Sequence, residues 1–349
     1  MGERRLLWVG SYTPGSEPAG AGSGVHRVWL DTATGALTDG GLAAAAEGPS
    51  FLALHPTRPL LFAVNEAPEG RLSGFATASD GTLTPLGSVG TGGGSPCHLA
   101  VLDDCVVVAN YAEGVVSVHP IGADGAPGER VQEFAHDGTG PVADRQECSH
   151  AHSADLSPGG THLLVCDLGT DELRAHPYTA GAAEPLGPQS IAVRCAPGTG
   201  PRHLAVHPSG HIYVGGELDG AVHVLRWDPA TATAAPVSSA PATATGGRTL
   251  LAEVTLSADA RRLYVSNRVA DTVAVFDVAA DGAALHPAGE AATEGVWPRH
   301  FTLAGDLLIA ANQDPGSLET FRLDPATGVP AATGNRLDLP SAVCVLPAR

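Results

Sequence analysis

Arg, His and Glu recur along the chain in short, similar settings. His150-x-His152 closes a long polar stretch, Arg202-His203 follows Gly-Pro, and Glu217 follows Gly-Gly. Arg268 follows Ser-Asn, and Arg299-His300 follows Trp-Pro. Glu66, Tyr111 and Gln313 each end an apolar run, and Arg145-Gln146 stands just upstream of the two histidines. This set suits acid–base chemistry on a small anionic molecule. A carboxylate or neutral imidazole can take a proton, and a guanidinium can stabilise a developing oxyanion or grip a phosphate or carboxylate through two parallel hydrogen bonds. Glu217 is the expected base, with His152 as its acid or positioning partner. The bland alternative is that Arg202 with Glu217, or Arg268 with Glu66, are ion pairs stitching neighbouring units together.

Two other chemistries are disfavoured. No Gly-x-Ser-x-Gly elbow is present to raise a serine nucleophile. His150 and His152 could offer two metal ligands from one side of a strand, but no carboxylate or cysteine stands at ligand spacing to them, so neither metal nor cofactor is expected. Cys97, Cys105, Cys148, Cys166, Cys195 and Cys344 show no Cys-x-x-Cys pairing and read as small core residues, with no disulfide.

The elements that hold these residues follow from a repeat. From Gly200 to Leu225 the chain reads as a three-stranded meander: two apolar runs around a His-Pro-Ser-Gly turn, then an alternating run after Asp219-Gly220. The pattern returns with anchors at Pro49, Pro96, Ala151, Pro201, Leu251, Pro298 and Pro340. A period of roughly 40–50 residues with several short strands marks a β-propeller blade. The 44 glycines and 28 prolines supply the turns. Leu339–Pro347 looks like a first strand without partners, and Leu6–Tyr12 like a second strand without a predecessor, with further strands at Gly24–Asp31 and Ala36–Ala45. The two ends are expected to share one blade. The expected fold is therefore an all-β, seven-bladed propeller, mostly four antiparallel strands per blade, forming one domain over residues 1–349 and closed by pairing of the terminal strands.

Aligning the repeats places Ser50, Cys97, His152, Arg202, Ala252, Arg299 and Ser341 at the start of the innermost strands. Tyr12, Glu66, Tyr111, Leu168, Glu217, Arg268 and Gln313 fall at the ends of the second strands. Both rings belong at one mouth of the central channel. Their divergence from blade to blade marks that mouth as a site. Ala123–Ala151 is too long for a plain connection and is read as functional. Thr13–Ser23 and Thr231–Gly247 are read as mobile surface excursions.

Gly140-Pro-Val-Ala-Asp-Arg-Gln-Glu-Cys-Ser-His-Ala-His152, with Gly200-Pro-Arg-His203, Gly216-Glu217, Ser266-Asn267-Arg268, Pro298-Arg299-His300 and Ala311-Asn312-Gln313, resembles the seven-bladed lactonase family. That family includes propeller-type 6-phosphogluconolactonases and fungal carboxy-muconate cyclases. The resemblance runs from about Leu6 to Val345. It implies that His152, Arg202, Glu217 and Arg268 match the catalytic group of the cyclase branch. His150, Arg145, Gln146, His203, Glu66, Tyr111, Arg299, His300 and Gln313 are the expected substrate contacts. Cys148-Ser149 stands where relatives commonly carry a proline, and Val142 where asparagine is frequent.

The resemblance implies metal-independent hydrolysis of an anionic lactone, most simply a sugar lactone such as 6-phosphogluconolactone. A cyclase or lyase acting on a polycarboxylate and a non-catalytic interaction platform are the other readings. The platform should show aromatic anchors, which a chain of 5% aromatic content has little material for. A net charge of −18 argues against nucleic acid as a partner. The first residues lack the long apolar region of a signal peptide, and no segment approaches the ~20 apolar residues that span a bilayer. A cytoplasmic monomer or weak homodimer acting on a small metabolite is expected.

Overall fold

The structure, a computed structural model, describes residues 3–244 and 246–349. Among these, twenty-eight strands form seven four-stranded antiparallel sheets, with no helix. In the composite blade, Ala342–Pro347 lies beside Arg4–Ser11, which pairs with Gly24–Asp31 and then Leu37–Ala45. The register runs from Leu7 opposite Pro347 to Ser11 opposite Ala342. Both chain ends thus meet in one sheet, and the ring closes as a propeller.

The apolar runs of the second strands follow from their place between blades. In Cys105–Asn110 every residue is buried. Cys105, Val107 and Ala109 pack toward the next blade, while Val106 and Val108 pack toward the preceding one. A strand buried on both faces has no reason to alternate polar and apolar residues. One apolar cluster fills each blade–blade interface. At the closure, Leu7, Val9, Ala342 and Val345 join Ile309 and Leu318 of the preceding blade. Each fully buried Leu or Val contributes about 1.5–3 kcal/mol, so these interfaces hold the ring together.

A shared irregularity shapes the channel mouth. In five blades the innermost strand carries one more residue than its partner just after the anchor. The ladder slips between Pro96 and His98, Ala151 and Ser153, Pro201 and Leu204, Leu251 and Val254, and Pro298 and His300. Such a bulge leaves the extra residue outside the ladder and re-aims its side chain. Cys97, His152, Arg202, Ala252 and Arg299 occupy these bulges. In the composite blade the slip falls between Ala342 and Cys344, so Val343, and not Ser341, is the equivalent residue. Ser341 instead takes a left-handed conformation, φ 52°, in the turn before the strand.

Both excursions expected to be mobile are held. Thr13–Ser23 folds onto the mouth through Glu17 N–H to Glu66 O (2.9 Å) and Gly20 N–H to Thr13 O (2.9 Å), with Thr13 and Ser16 buried. Its short polar side chains cap their own turn, which the composition alone does not reveal. Within 231–247, Thr233–Pro241 forms the outer strand of its blade, paired with Ala221–Asp228; residue 245 lies outside the described residues. Its exposed serines and its two prolines, Pro236 and Pro241, are tolerated because this is the solvated edge strand of the blade.

Candidate active site

One backbone feature sets the second ring. The N–H of the residue after the second strand donates to a carbonyl just before the innermost strand: Glu217 to Gly200 O (2.8 Å), Glu66 to Gly48 O (2.8 Å), Tyr111 to Ser95 O (3.1 Å) and Tyr12 to Ser341 O (3.1 Å). The side chains of this ring then stand beside the bulge residues. A cavity of about 490 Å³ opens there, and its lining includes Tyr111, Arg145, His152, Glu217, Arg268 and Arg299.

Glu217 is the organising group. It is 1% exposed and meets Arg145 Nη2 at 2.5 Å, Arg268 Nη2 at 2.6 Å and Arg202 Nε at 3.1 Å. Burial alone would raise its carboxyl, but Arg268, Arg145 and Arg202 more than offset that and hold it down at about 2. Burial and the neighbouring Arg268 and Arg299 pull the Arg202 guanidinium down to about 9. Across the mouth, Glu66 accepts from Tyr12 Oη (3.0 Å) and lies 3.8 Å from Arg299, which sits over the Tyr12 ring. Arg268 lies over the Trp297 ring at 5.5 Å. Of the two pairs offered as the bland alternative, Arg202–Glu217 forms, whereas Arg268 and Glu66 pair with Glu217 and Arg299 instead.

His152 is buried and neutral. Burial, Arg202, His203, Arg299 and Arg268 all disfavour its charged form and lower it well below the usual imidazole value. Its Nδ1 has no hydrogen-bond partner among the described residues, as is true of Arg202 Nη1 and Arg268 Nε. Buried polar atoms are ordinarily satisfied; His152 and Arg268 line the cavity, so their unpaired nitrogens are groups that a ligand there can engage.

Several expected contacts lie elsewhere. Gln146 faces inward: its Nε2 donates to Leu168 O and Asp171 Oδ1, both at 2.8 Å, and ties down the 140–150 loop. His203 and His300 turn deeper into the channel toward Glu253, at 2.9 and 3.7 Å, and line a separate small cavity with Arg202 and Phe51. For His203 the reason is the bulge after Pro201, where Arg202 and His203 both stand outside the register and diverge; His300 is back in register opposite Ala311, one residue past its own bulge. Gln313 lines neither cavity; its Oε1 is buried without a hydrogen-bond partner among the described residues. His150 does reach the cavity wall, stacked on Tyr111 at 4.2 Å.

Two carboxylates outside both rings also shape the site. Glu253 follows the ring residue Ala252 and holds both channel histidines, with His203 within hydrogen-bonding distance. Asp167 anchors the loop by accepting from Ser149 Oγ (2.6 Å) and His150 N–H (2.9 Å). The carboxylate ending an apolar strand, Val-Cys-Asp, was the available signal for Asp167.

A family model described as lactonase, seven-bladed β-propeller, matches residues 6–347. The chain belongs to this family. It is 33% identical to the 6-phosphogluconolactonase of Bacillus subtilis over 348 residues, 97% of each chain. A crystal structure of a putative 6-phosphogluconolactonase from Bacteroides fragilis superposes with a TM-score of 0.91 at 28% identity, covering 99% of this chain and 98% of that one. The periplasmic gluconolactonase of Pseudomonas aeruginosa gives 0.90 at 28% identity, with 99% of each chain covered. This protein is accordingly a lactonase-class enzyme, and the polar mouth is its candidate active site.

Proposed function

We propose that the enzyme hydrolyses a small sugar lactone bearing an anionic group, with 6-phosphogluconolactone the substrate that the relatives' names favour. The observation that carries the mechanism is that both Glu217 carboxylate oxygens are taken by guanidiniums, whereas His152 Nδ1 has no partner among the described residues. Glu217, gripped by three guanidiniums and held near 2, is a poor proton acceptor. His152 is unprotonated at neutral pH with a free nitrogen, Nδ1. His152 therefore takes the proton from water as the water oxygen bonds to the lactone carbonyl carbon. Arg268 and Arg202, fixed by Glu217, stabilise the tetrahedral oxyanion. The ring C–O bond then breaks, and the leaving alkoxide takes the proton from the His152 imidazolium. The imidazolium is short-lived because the surrounding arginines disfavour it, which makes it a strong acid toward the alkoxide. Arg299 and Arg145, which both line the cavity, hold the substrate's anion.

The test is acid release from 6-phosphoglucono-δ-lactone, followed with a pH indicator and corrected for spontaneous opening. His152→Ala should lower kcat by about 10²–10⁴-fold with little change in KM. A wild-type rate no faster than the spontaneous one would remove the substrate assignment; a near-normal kcat in His152→Ala would remove the role of His152.

A further inference from the structure

Glu147, Cys148 and His150 take no part in this hydrolysis, yet their ligand atoms lie within 4.8 Å of one another. This overturns the expectation that no carboxylate or cysteine accompanies His150, since the tight loop brings sequence neighbours onto one side. The imidazole is oriented as metal-binding imidazoles are. His150 Nδ1 lies 2.8 Å from the Tyr111 carbonyl, which only accepts, so Nδ1 is the donor and the neutral ring carries its lone pair on Nε2. Stacking on Tyr111 at an interplanar angle of 7° and the His150 N–H bond to Asp167 fix the ring and backbone.

From Nε2, Glu147 Oε1 is 3.4 Å away and Cys148 Sγ 3.8 Å. Tetrahedral zinc, with bonds of about 2.3 Å to sulfur and about 2.0–2.1 Å to nitrogen and oxygen, requires N···O of about 3.4 Å and N···S of about 3.6 Å. The two distances from Nε2 are within a few tenths of an ångström of these values, and the carboxylate and thiol lie within 4.8 Å of each other. Glu147, Asp167 and Glu113 surround the thiol with negative charge, which favours a cation there. A thiolate, an imidazole and one carboxylate select a borderline-soft metal over magnesium or calcium.

We propose that Glu147, Cys148 and His150 form a three-ligand site for a divalent transition-metal ion such as zinc, at the wall of the substrate cavity. Glu147 and His150 line that cavity. The fourth position of the ion is left to water or to an oxygen of a molecule in the cavity. His152 takes no part; its ring packs edge-on to Tyr111 and His203 instead.

Cobalt(II) titration of chelator-treated protein tests this without reference to turnover. One cobalt per chain should produce a thiolate-to-metal charge-transfer band with tetrahedral d–d absorption, and zinc should displace it. Cys148→Ser should abolish the band, while Cys195→Ser should retain it. No saturable band at one equivalent, or a band that survives Cys148→Ser, overturns the proposal. In case the variant misfolds, wild-type protein is alkylated with iodoacetamide with and without zinc and peptide-mapped. Protection of Cys148 by zinc supports the site, and equal labelling overturns it.

Discussion

Glu217→Gln preserves the shape of the side chain and removes the one charge around which Arg145, Arg202 and Arg268 gather. Arg145 is partly exposed and can turn to water, but Arg202 and Arg268 are 3% and 5% exposed and cannot. Breaking a buried pair by removing one partner costs about 3–5 kcal/mol, mostly as uncompensated charge. An unfolding entropy of about 2.1 cal/mol/K per residue gives roughly 0.7 kcal/mol/K for a chain of this length, so the Tm should drop by about 4–7 °C. An anion that enters the cavity can replace the lost carboxylate. Inorganic phosphate should therefore raise the Tm of Glu217→Gln more than that of the wild type, by the linkage between ligand binding and stability. Differential scanning fluorimetry across a phosphate series measures both effects. A variant within about 2 °C of wild type, or phosphate that stabilises the wild type equally well, would refute the view of Glu217 as the counter-charge of the mouth. Below its melting temperature this variant should also keep more of kcat than His152→Ala.

Deleting residues 339–349 removes Leu339, Ala342 and Val345 from the closing interface and Cys344 from the next, so the whole ring should melt earlier in one transition; calorimetry showing an unchanged main transition with a small early one would contradict this. His152, His203, His98 and His300 are held neutral by burial, with His203 brought down to about 4 by burial and Arg202. Their stabilisation is complete above 6.5 and is lost as pH falls, at up to about 1.4 kcal/mol per pH unit per group. The Glu217 contribution, by contrast, persists down through about 4.5 and is lost only toward 2. The Tm should thus fall between pH 7 and 5, and less so in His203→Gln; a flat profile in the wild type counts against the buried neutral histidines. A Cβ on Gly169 would meet the Cys148 carbonyl oxygen at 1.9 Å. Gly169→Ala should accordingly push the 148–150 segment outward, cost about 1–3 kcal/mol and raise KM; wild-type kinetics in this variant would show that the loop's position is immaterial.

The ring was legible because each blade repeats a physical necessity. A second strand buried on both faces must be apolar throughout, a turn must follow, and the unmatched first and second strands at the two ends could only pair with each other. The rim positions could be read for the same reason, since equivalent places in equivalent sheets lie at one end of the channel. Side-chain direction was not legible. Strand periodicity reports the ladder, whereas His203 leaves it with Arg202 inside one bulge and turns to Glu253, a partner fifty residues away. Gln146 reads as a rim residue by composition, yet the Leu168 carbonyl and the Asp171 carboxylate claim it. The two-residue shift from Ser341 to Val343 arises from a turn with a left-handed residue, which no apolar pattern records.

The bulges at the mouth have a consequence for how such a ring can be altered. Cys97, His152, Arg202, Ala252 and Arg299 stand outside the ladders of their sheets, so exchanging one of them leaves strand pairing intact and changes only what faces the channel. The scaffold and the chemistry are thereby separable. Substrate preference can be rewritten one blade at a time, and variants at non-adjacent blades should combine with nearly additive stability effects, while those that share Glu217 should not.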